Sequence, residues 1–283
     1  MQGHRGARGL FPENTIEGFV AAWELGVRAF ELDVGLTADD VVVVSHDPAL
    51  NPLITRGPDG AWLSSRGPAL RQMRWCELAA YDVGRIRPGT DYAQLYPQQV
   101  PVDGARIPRL ADVLQRLPMA YINIEIKTHP GDHLLTAPPP VIADAVLDVI
   151  DAAQAVDRVM IESFDWRVPR HVRRHRPEIP LAWLTSPDTT RSTRLWWDGV
   201  DLADHDGSVP RAVAAEGGGT WAPHHSTLSI QALREATGLG LSVIPWTVNA
   251  ADDMERLIRW GVDGLITDYP DHALRVLAAL NRS

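Results

Sequence analysis

The chain has 283 residues, 45% hydrophobic and 22% charged, the balance of a soluble globular protein. That length exceeds the usual single domain, but a (β/α)₈ barrel commonly reaches about 250 residues as one unit. A formal charge of -9 opposes binding of nucleic acid or anionic lipid through a broad positive patch, so an anionic substrate must meet a few local cations. One cysteine, Cys76, excludes an internal disulfide and reads as a half-buried thiol with no catalytic part.

The first run, Gln2–His4, is a short strand ending in His4 and Arg5. Residues 14 to 25 form an amphipathic helix: Asn14 is placed to cap it, Ile16, Phe19, Val20 and Trp23 share one face, and Gly26 ends it. The apolar runs Val27–Val34 and Val41–Ser45 follow, joined by Thr37-Ala38-Asp39-Asp40, a link short enough for a hairpin and too short for a helical crossover. From Pro48 to about Pro108 periodicity collapses, with weak helical signal only around Leu70–Tyr81; this stretch reads as an insertion over a barrel mouth.

Regular alternation then returns. Helices at Leu110–Leu117, Val141–Ala153, Trp166–His175, Val209–Ala215, Ile230–Thr237 and Asp252–Trp260 each lead to a strand, and a last helix covers Ala273–Leu280. The strands are Ala120–Ile126, Arg158–Phe164, Leu181–Leu184, Thr220–Ala222, Leu241–Val248 and Gly264–Thr267. With Gln2–His4 and Val27–Val34 this makes eight parallel strands, with Val41–Ser45 as an extra hairpin partner. The expected fold is a single α/β domain over 1–283, a (β/α)₈ TIM barrel with an insertion at about 48–108. Gly217-Gly218-Gly219 reads as a turn, because no phosphate-cradling pattern surrounds it.

Such a barrel carries its working groups at the carboxyl ends of its strands, where this chain places its unusual polar residues. Glu31 and Asp33, two apart on a strand, point to one face, and Glu125 and Lys127 repeat the device. His46 follows the hairpin run, Trp246, Thr247 and Asn249 end the seventh strand, and Asp268 ends the last. Buried carboxylates need a cation or a metal; Glu31, Asp33 and Glu125 offer hard oxygen ligands, which suit Mg²⁺ or Ca²⁺ rather than zinc. His4 and His46 can move protons near neutral pH. Taken singly, His4 reads as a structural histidine and the carboxylate pair as partners of Arg5 or Lys127. Taken together they read as a phosphate-ester hydrolase. Outside the set, Arg167, Arg170, Arg173, Arg174 and Arg176 read as a solvated helix face and His224-His225 as a loop edge. Trp221 and Trp246 fall where a substrate can touch them.

These residues carry a resemblance. His4-Arg5-Gly6, Pro12-Glu13-Asn14-Thr15, Glu31-Leu32-Asp33-Val34, His46-Asp47, Glu125-Ile126-Lys127, Ser163-Phe164, Pro245-Trp246-Thr247-Val248-Asn249 and Gly264 to Pro270 resemble, in order and spacing, the glycerophosphodiester phosphodiesterase family of phospholipase-like barrels. The resemblance implies His4 and His46 as a general acid/base pair, and Glu31, Asp33 and Glu125 as ligands of a divalent cation. It implies Arg5 and Lys127 as phosphate contacts, and a small glycerophosphodiester as substrate, cleaved through a cyclic phosphate. Two other readings are a phospholipase D or lysophospholipase D acting on larger lipids, and a non-catalytic barrel that binds glycerophosphodiesters. No apolar run reaches the roughly 18 residues of a membrane span, and Met1-Gln2-Gly3-His4 leaves no room for a signal peptide unless a leader has been trimmed. The expected location is cytoplasmic.

Overall fold

A computed structural model describes residues 1–280. Among the described residues there are nine strands: β1 (Gln2–Gly3), β2 (Ala29–Leu36), β3 (Val42–Val44), β4 (Tyr121–Ile126), β5 (Val159–Ser163), β6 (Leu181–Thr185), β7 (Thr220–Pro223), β8 (Ser242–Val243) and β9 (Ile266–Thr267). Their order in the sheet is β8-β7-β6-β5-β4-β2-β1-β9, with β3 antiparallel to β2 and every other pairing parallel. Asp263 N bonds Val243 O at 3.0 Å, Ile266 N bonds Pro245 O at 3.0 Å and Val248 N bonds Ile266 O at 2.9 Å, which joins the two ends of that order. The sheet therefore curls back on itself. No helix among the described residues is long and apolar enough to cross a membrane.

Period-two alternation sorts each strand between helices and barrel interior. Phe30, Leu32 and Val34 of β2, Ile122, Ile124 and Ile126 of β4, and Val159 and Ile161 of β5 are fully buried in one apolar cluster with helix residues such as Phe19, Leu114 and Ile142. The intervening residues Glu31, Asp33, Asn123, Glu125 and Glu162 face the other way. Burying several Ile and Leu side chains per strand stabilises by about 1.5–3 kcal/mol each, enough to hold the polar interior in place.

The helices Leu110–Arg116, Pro139–Ala152, Arg167–His175, Val209–Ala215, Ile230–Gly238 and Ala251–Trp260 lie within two or three residues of their expected ends. Four features differ. The run Leu241–Val248 keeps regular strand only at Ser242–Val243, because Pro245 has no N–H to give a ladder. Asn14 does not cap the first helix, Ile16–Glu24; Thr15 does, its hydroxyl accepting from Gly18 N, while Asn14 sits at φ 55°. Short helices at Pro187–Arg191 and Thr193–Trp196 carry no expected signal, since neither is long enough to show periodicity. Cys76 is exposed, not half-buried.

Residues 48–108 contain the short helices Trp75–Leu78 and Asp91–Leu95 and a few isolated bridges, and their Leu50, Leu70, Met73, Leu78, Val83 and Ile107 form a small apolar cluster with Val43 of β3. That cluster anchors the stretch onto β3. Its far end meets the first loop, where Val100 N bonds Leu10 O at 2.8 Å and the Gln99 amide donates to Arg8 O at 2.8 Å.

Candidate active site

The turn after β1 sets the site's first residues. A Cβ on Gly3 would lie 1.9 Å from Gly6 O, so only glycine lets the chain fold back there. Arg5 adopts φ 50°, a left-handed conformation that costs of order 1–3 kcal/mol and is held by its surroundings. Its backbone N–H donates to Glu31 Oε2 at 3.1 Å, and its guanidinium NH1 donates to Glu13 Oε1 at 2.7 Å. Arg5 Nε lies 3.3 Å from Asp33 Oδ2, an ion pair without hydrogen-bond geometry.

Glu31 and Asp33 from β2 and Glu125 from β4 meet across the sheet, with Asp33 and Glu125 in register. One oxygen from each lies within 4.8 Å of the others. Lys127 Nζ reaches Glu125 Oε1 at 2.8 Å and Asp33 Oδ1 at 3.4 Å. Asn14 closes the group by donating to Asp33 Oδ2 at 3.0 Å. Glu31 Oε1 is buried with no hydrogen-bond partner, and Asp33 Oδ1 has only the longer Lys127 contact. Unpaired buried oxygens in an acidic group suit a hard divalent cation such as Mg²⁺ or Ca²⁺.

Electrostatics separate the three acids. Burial and the neighbouring Asp33 push the Glu31 carboxyl far above the ordinary range. Burial likewise raises Glu125, with Lys127 offsetting part of the effect. Burial opposes the Asp33 charge too, but Arg5 and Lys127 more than compensate and hold its carboxyl well below the usual value. Glu31 and Glu125 therefore bind protons more tightly in the folded chain than in the unfolded one. Their contribution to stability is fullest in acid and is lost as pH rises through the raised values. A divalent ion competes for the same oxygens, so the rise in melting temperature on adding Mg²⁺ or Ca²⁺ is expected to be larger at pH 8 than at pH 5. Differential scanning fluorimetry with an EDTA control checks this; a shift that shrinks with pH would contradict the assignment of the oxygens.

The two histidines have similar settings. His4 Nδ1 lies 2.6 Å from Asp268 Oδ1, and His46 Nδ1 lies 2.8 Å from Asp47 Oδ1. Both carboxyls are held below their ordinary values, so each accepts and the proton sits on Nδ1, leaving Nε2 free. Burial lowers the His4 imidazole to about 4 despite Asp268, and also lowers His46. Asp268 is itself fixed by Arg8, through Nε at 2.9 Å and NH2 at 3.1 Å, and by the Asn249 amide at 2.8 Å. His4 Nε2 lies 3.7 Å from Glu31 Oε2.

His4, Arg5, Arg8, Glu31, His46, Glu125 and Lys127 border one cavity of about 220 Å³, together with Glu162, Phe164, Leu184, Trp246, Thr247 and Ile266. Asp33 stands just behind it. Trp246 thus falls at the cavity. Trp221 does not: it is buried, donates to Thr185 Oγ1 at 2.9 Å, and borders a separate cleft beside Pro187 and Pro210. Arg167 pairs with the buried Asp165, Arg170 with the half-buried Glu216 and Arg176 with the exposed Asp151, so this helix face is only partly solvated; none of the three arginines lines the cavity. His224 and His225 form a short turn after β7, and His224 meets the edge of Trp246.

Five residues at the site escaped sequence reasoning as functional groups: Arg8, Glu13, Asn14, Asp47 and Glu162. For Glu162 a signal existed, a lone acid inside the apolar run Val159–Ser163 and in register with Glu125. Arg8 gave none, because its partner Asp268 lies 260 residues along the chain; Glu13 pairs with nearby Arg5 as well as with distant Tyr92, in a loop that has no period to mark the contact.

A sequence profile of the Glycerophosphoryl diester phosphodiesterase family matches residues 4–272. The glycerophosphodiester phosphodiesterase of Caldanaerobacter subterraneus subsp. tengcongensis is 28% identical over 280 residues, covering 97% of this chain and 96% of that relative. The crystal structure named "Putative glycerophosphoryl diester phosphodiesterase" from Silicibacter pomeroyi DSS-3 superposes with a TM-score of 0.89 at 35% identity, over 98% of this chain and 92% of that one. A phosphodiesterase from Oleispira antarctica, solved with the product sn-glycerol-3-phosphate, shares the fold at a TM-score of 0.72 and 22% identity, over 98% and 97% of the two chains. With a profile covering nearly all of its length and a site built from the motifs described above, the chain belongs to the glycerophosphoryl diester phosphodiesterase family.

Proposed function

We propose that this chain hydrolyses glycerophosphodiesters to sn-glycerol 3-phosphate and an alcohol, with His4 and His46 as the general acid/base pair. The observation that carries this reading is the shared cavity: two imidazoles with anchored Nδ1 atoms beside three clustered carboxylates and two cations. One imidazole accepts the proton of the glycerol 2-hydroxyl through Nε2 as that oxygen attacks phosphorus. The other, protonated, donates to the leaving alcohol oxygen as its bond to phosphorus breaks, giving a cyclic phosphate. Water then attacks the ring, the roles of the two histidines reverse, and the 2-hydroxyl is restored. Each proton transfer contributes roughly 10²–10⁴-fold.

Arg5 and Lys127 supply fixed positive charge beside the phosphate, and their ion pairs keep both side chains aimed at it. Glu31, Asp33 and Glu125 would hold Mg²⁺ or Ca²⁺, which when bound neutralises phosphate charge. Trp246 walls the substrate. The scaffold of this reading is one (β/α)₈ barrel domain with the 48–108 stretch as an insertion at the mouth, supported by the hydrogen bonds that stretch makes to the Leu10 and Arg8 backbone. The single cysteine, which asks for no oxidising compartment, supports a cytoplasmic location.

The purified chain with Mg²⁺ or Ca²⁺ is expected to release sn-glycerol 3-phosphate from glycerophosphocholine, and EDTA to abolish that release. A coupled glycerol 3-phosphate dehydrogenase assay reads it. No release with Mg²⁺, Ca²⁺ or Mn²⁺ would replace this reading with a binding barrel.

A further inference from the structure

The 48–108 stretch reaches the first loop of the site through one short helix, Asp91–Leu95. Thr90 caps it: its hydroxyl accepts from Ala93 N at 3.2 Å and donates to Arg87 O at 2.8 Å. Gln99 and Val100 bond the Arg8 and Leu10 carbonyls, and the Tyr269 hydroxyl donates to Leu95 O at 3.2 Å. The Arg8 guanidinium stands over the Tyr96 ring, 4.7 Å from its centroid. Tyr92 and Tyr96, four residues apart, meet edge to face with centroids 5.2 Å apart, a packing that fixes where Tyr92 points.

It points at Glu13. The Tyr92 hydroxyl donates to Glu13 Oε2, and Glu13 Oε1 accepts from Arg5 NH1 at 2.7 Å. Arg8 NH1 donates to the Tyr92 oxygen at 3.4 Å, which leaves the single phenol proton for Glu13. Burial and the Glu13 charge hold that phenol in its neutral form, so it stays a donor. Among the described residues, the bond to Glu13 is the only hydrogen bond the Arg5 guanidinium makes. Its Nε is buried without a partner, and its ion pair with Asp33 lacks hydrogen-bond geometry. The aim of Arg5 into the cavity therefore rests on Glu13, a buried acid whose two oxygens are divided between Arg5 and Tyr92.

We propose that Tyr92 is a positioning residue for the phosphate end of the site: by occupying one oxygen of Glu13, it keeps the Arg5 guanidinium aimed at the substrate phosphate. This deepens the phosphodiesterase reading and rests on it. Without the phenol, Glu13 Oε2 becomes a buried anionic oxygen with no donor, and the cation already bonded to the other oxygen is Arg5. A carboxylate that takes a guanidinium with both oxygens, the paired geometry these groups favour, draws Arg5 off the cavity. The ring contacts and backbone bonds of the segment do not depend on that hydroxyl. Its loss changes the aim of Arg5 and not the fold.

Calorimetric titration with sn-glycerol 3-phosphate in Mg²⁺, alongside steady-state kinetics with glycerophosphocholine, tests the assignment. Tyr92→Phe keeps the ring against Tyr96 and removes only the hydroxyl. It is expected to weaken binding of sn-glycerol 3-phosphate roughly tenfold and to raise KM by a similar factor. Turnover is expected to stay within about threefold of the wild type, because the Arg5 contact serves bound substrate and transition state alike. Glu13→Gln is expected to weaken binding to a similar extent, and the double variant no further than the worse single one, since both changes act on Arg5 through one chain of bonds. Should Glu13→Gln fail to fold, the crystal structure of Tyr92→Phe decides: Arg5 bonded to both Glu13 oxygens is expected, and an unmoved Arg5 overturns the role. Wild-type affinity in Tyr92→Phe, losses that multiply to about a hundredfold in the double variant, or a fall confined to kcat each overturn the role while leaving the phosphodiesterase reading intact. No cleavage of glycerophosphocholine by the wild-type chain overturns both.

Discussion

His4→Ala and His46→Ala are each expected to lower turnover of glycerophosphocholine by roughly 10²–10⁴-fold, while far-UV circular dichroism and thermal melting show a folded chain. The two losses should not multiply in the double variant, because a relay that passes a proton in at one oxygen and out at another fails when either partner is missing. The two variants are expected to differ in stability. His4 is nearly buried and hydrogen-bonded to Asp268, so its removal leaves a buried carboxylate held by Arg8, Asn249 and a longer Tyr96 contact, whereas His46 is half-buried and its partner Asp47 is itself partly exposed. Asp268→Asn is expected to reduce kcat with little change in KM, since it disturbs the tautomer of His4 without touching the phosphate contacts. Near-normal turnover in either alanine variant would remove that histidine from the chemistry.

The second large effect separates two carboxylates that look alike in the sequence. Glu125→Gln and Asp33→Asn are both expected to lose activity by at least 10²–10³-fold, on the order of the loss when one transition-state charge contact is removed. Their stabilities should diverge. Burial already disfavours the Glu125 anion, so the neutral amide costs little in the protein without metal. Asp33 is held as an anion by Arg5 and Lys127, and removing that charge breaks a buried ionic group, a change that typically costs about 3–5 kcal/mol. Glu125→Gln should therefore melt near the wild type in EDTA and fail to gain stability on adding Mg²⁺ or Ca²⁺. Asp33→Asn should melt lower in both conditions. Equal melting of the two variants in EDTA would mean that the charges of Asp33 and Glu125 are not held apart in this way.

Much of this site was legible because it obeys local rules. Glu31 with Asp33, and Glu125 with Lys127, stand two apart inside apolar runs, and a strand must turn such pairs to one face while Leu32 and Ile126 face the other. The same alternation gave the eight parallel strands and their helices. What the sequence withheld is long-range pairing. Asp268 is 264 residues from His4, yet it fixes that ring's tautomer. Asn14 looked like a helix cap because Asn is a good cap, but Thr15 one residue later does the capping, which frees Asn14 to turn onto Asp33. Pro245 cut the expected seventh strand short by removing a ladder donor, although the chain still runs along β9 through Val248. The Pro48–Pro108 stretch hid its order for another reason: its contacts are a small apolar cluster and tyrosine hydroxyls reaching Glu13 and Asp268, none of which has a sequence period.

The measurement that bears most directly on this account is anomalous diffraction at the manganese edge from crystals soaked with Mn²⁺ and sn-glycerol 3-phosphate. A single peak bounded by Glu31, Asp33 and Glu125, with phosphate density between the His4 and His46 rings and against Arg5 and Lys127, is the predicted result. Manganese or phosphate bound elsewhere, with those three carboxylates keeping only their present protein contacts, would contradict it.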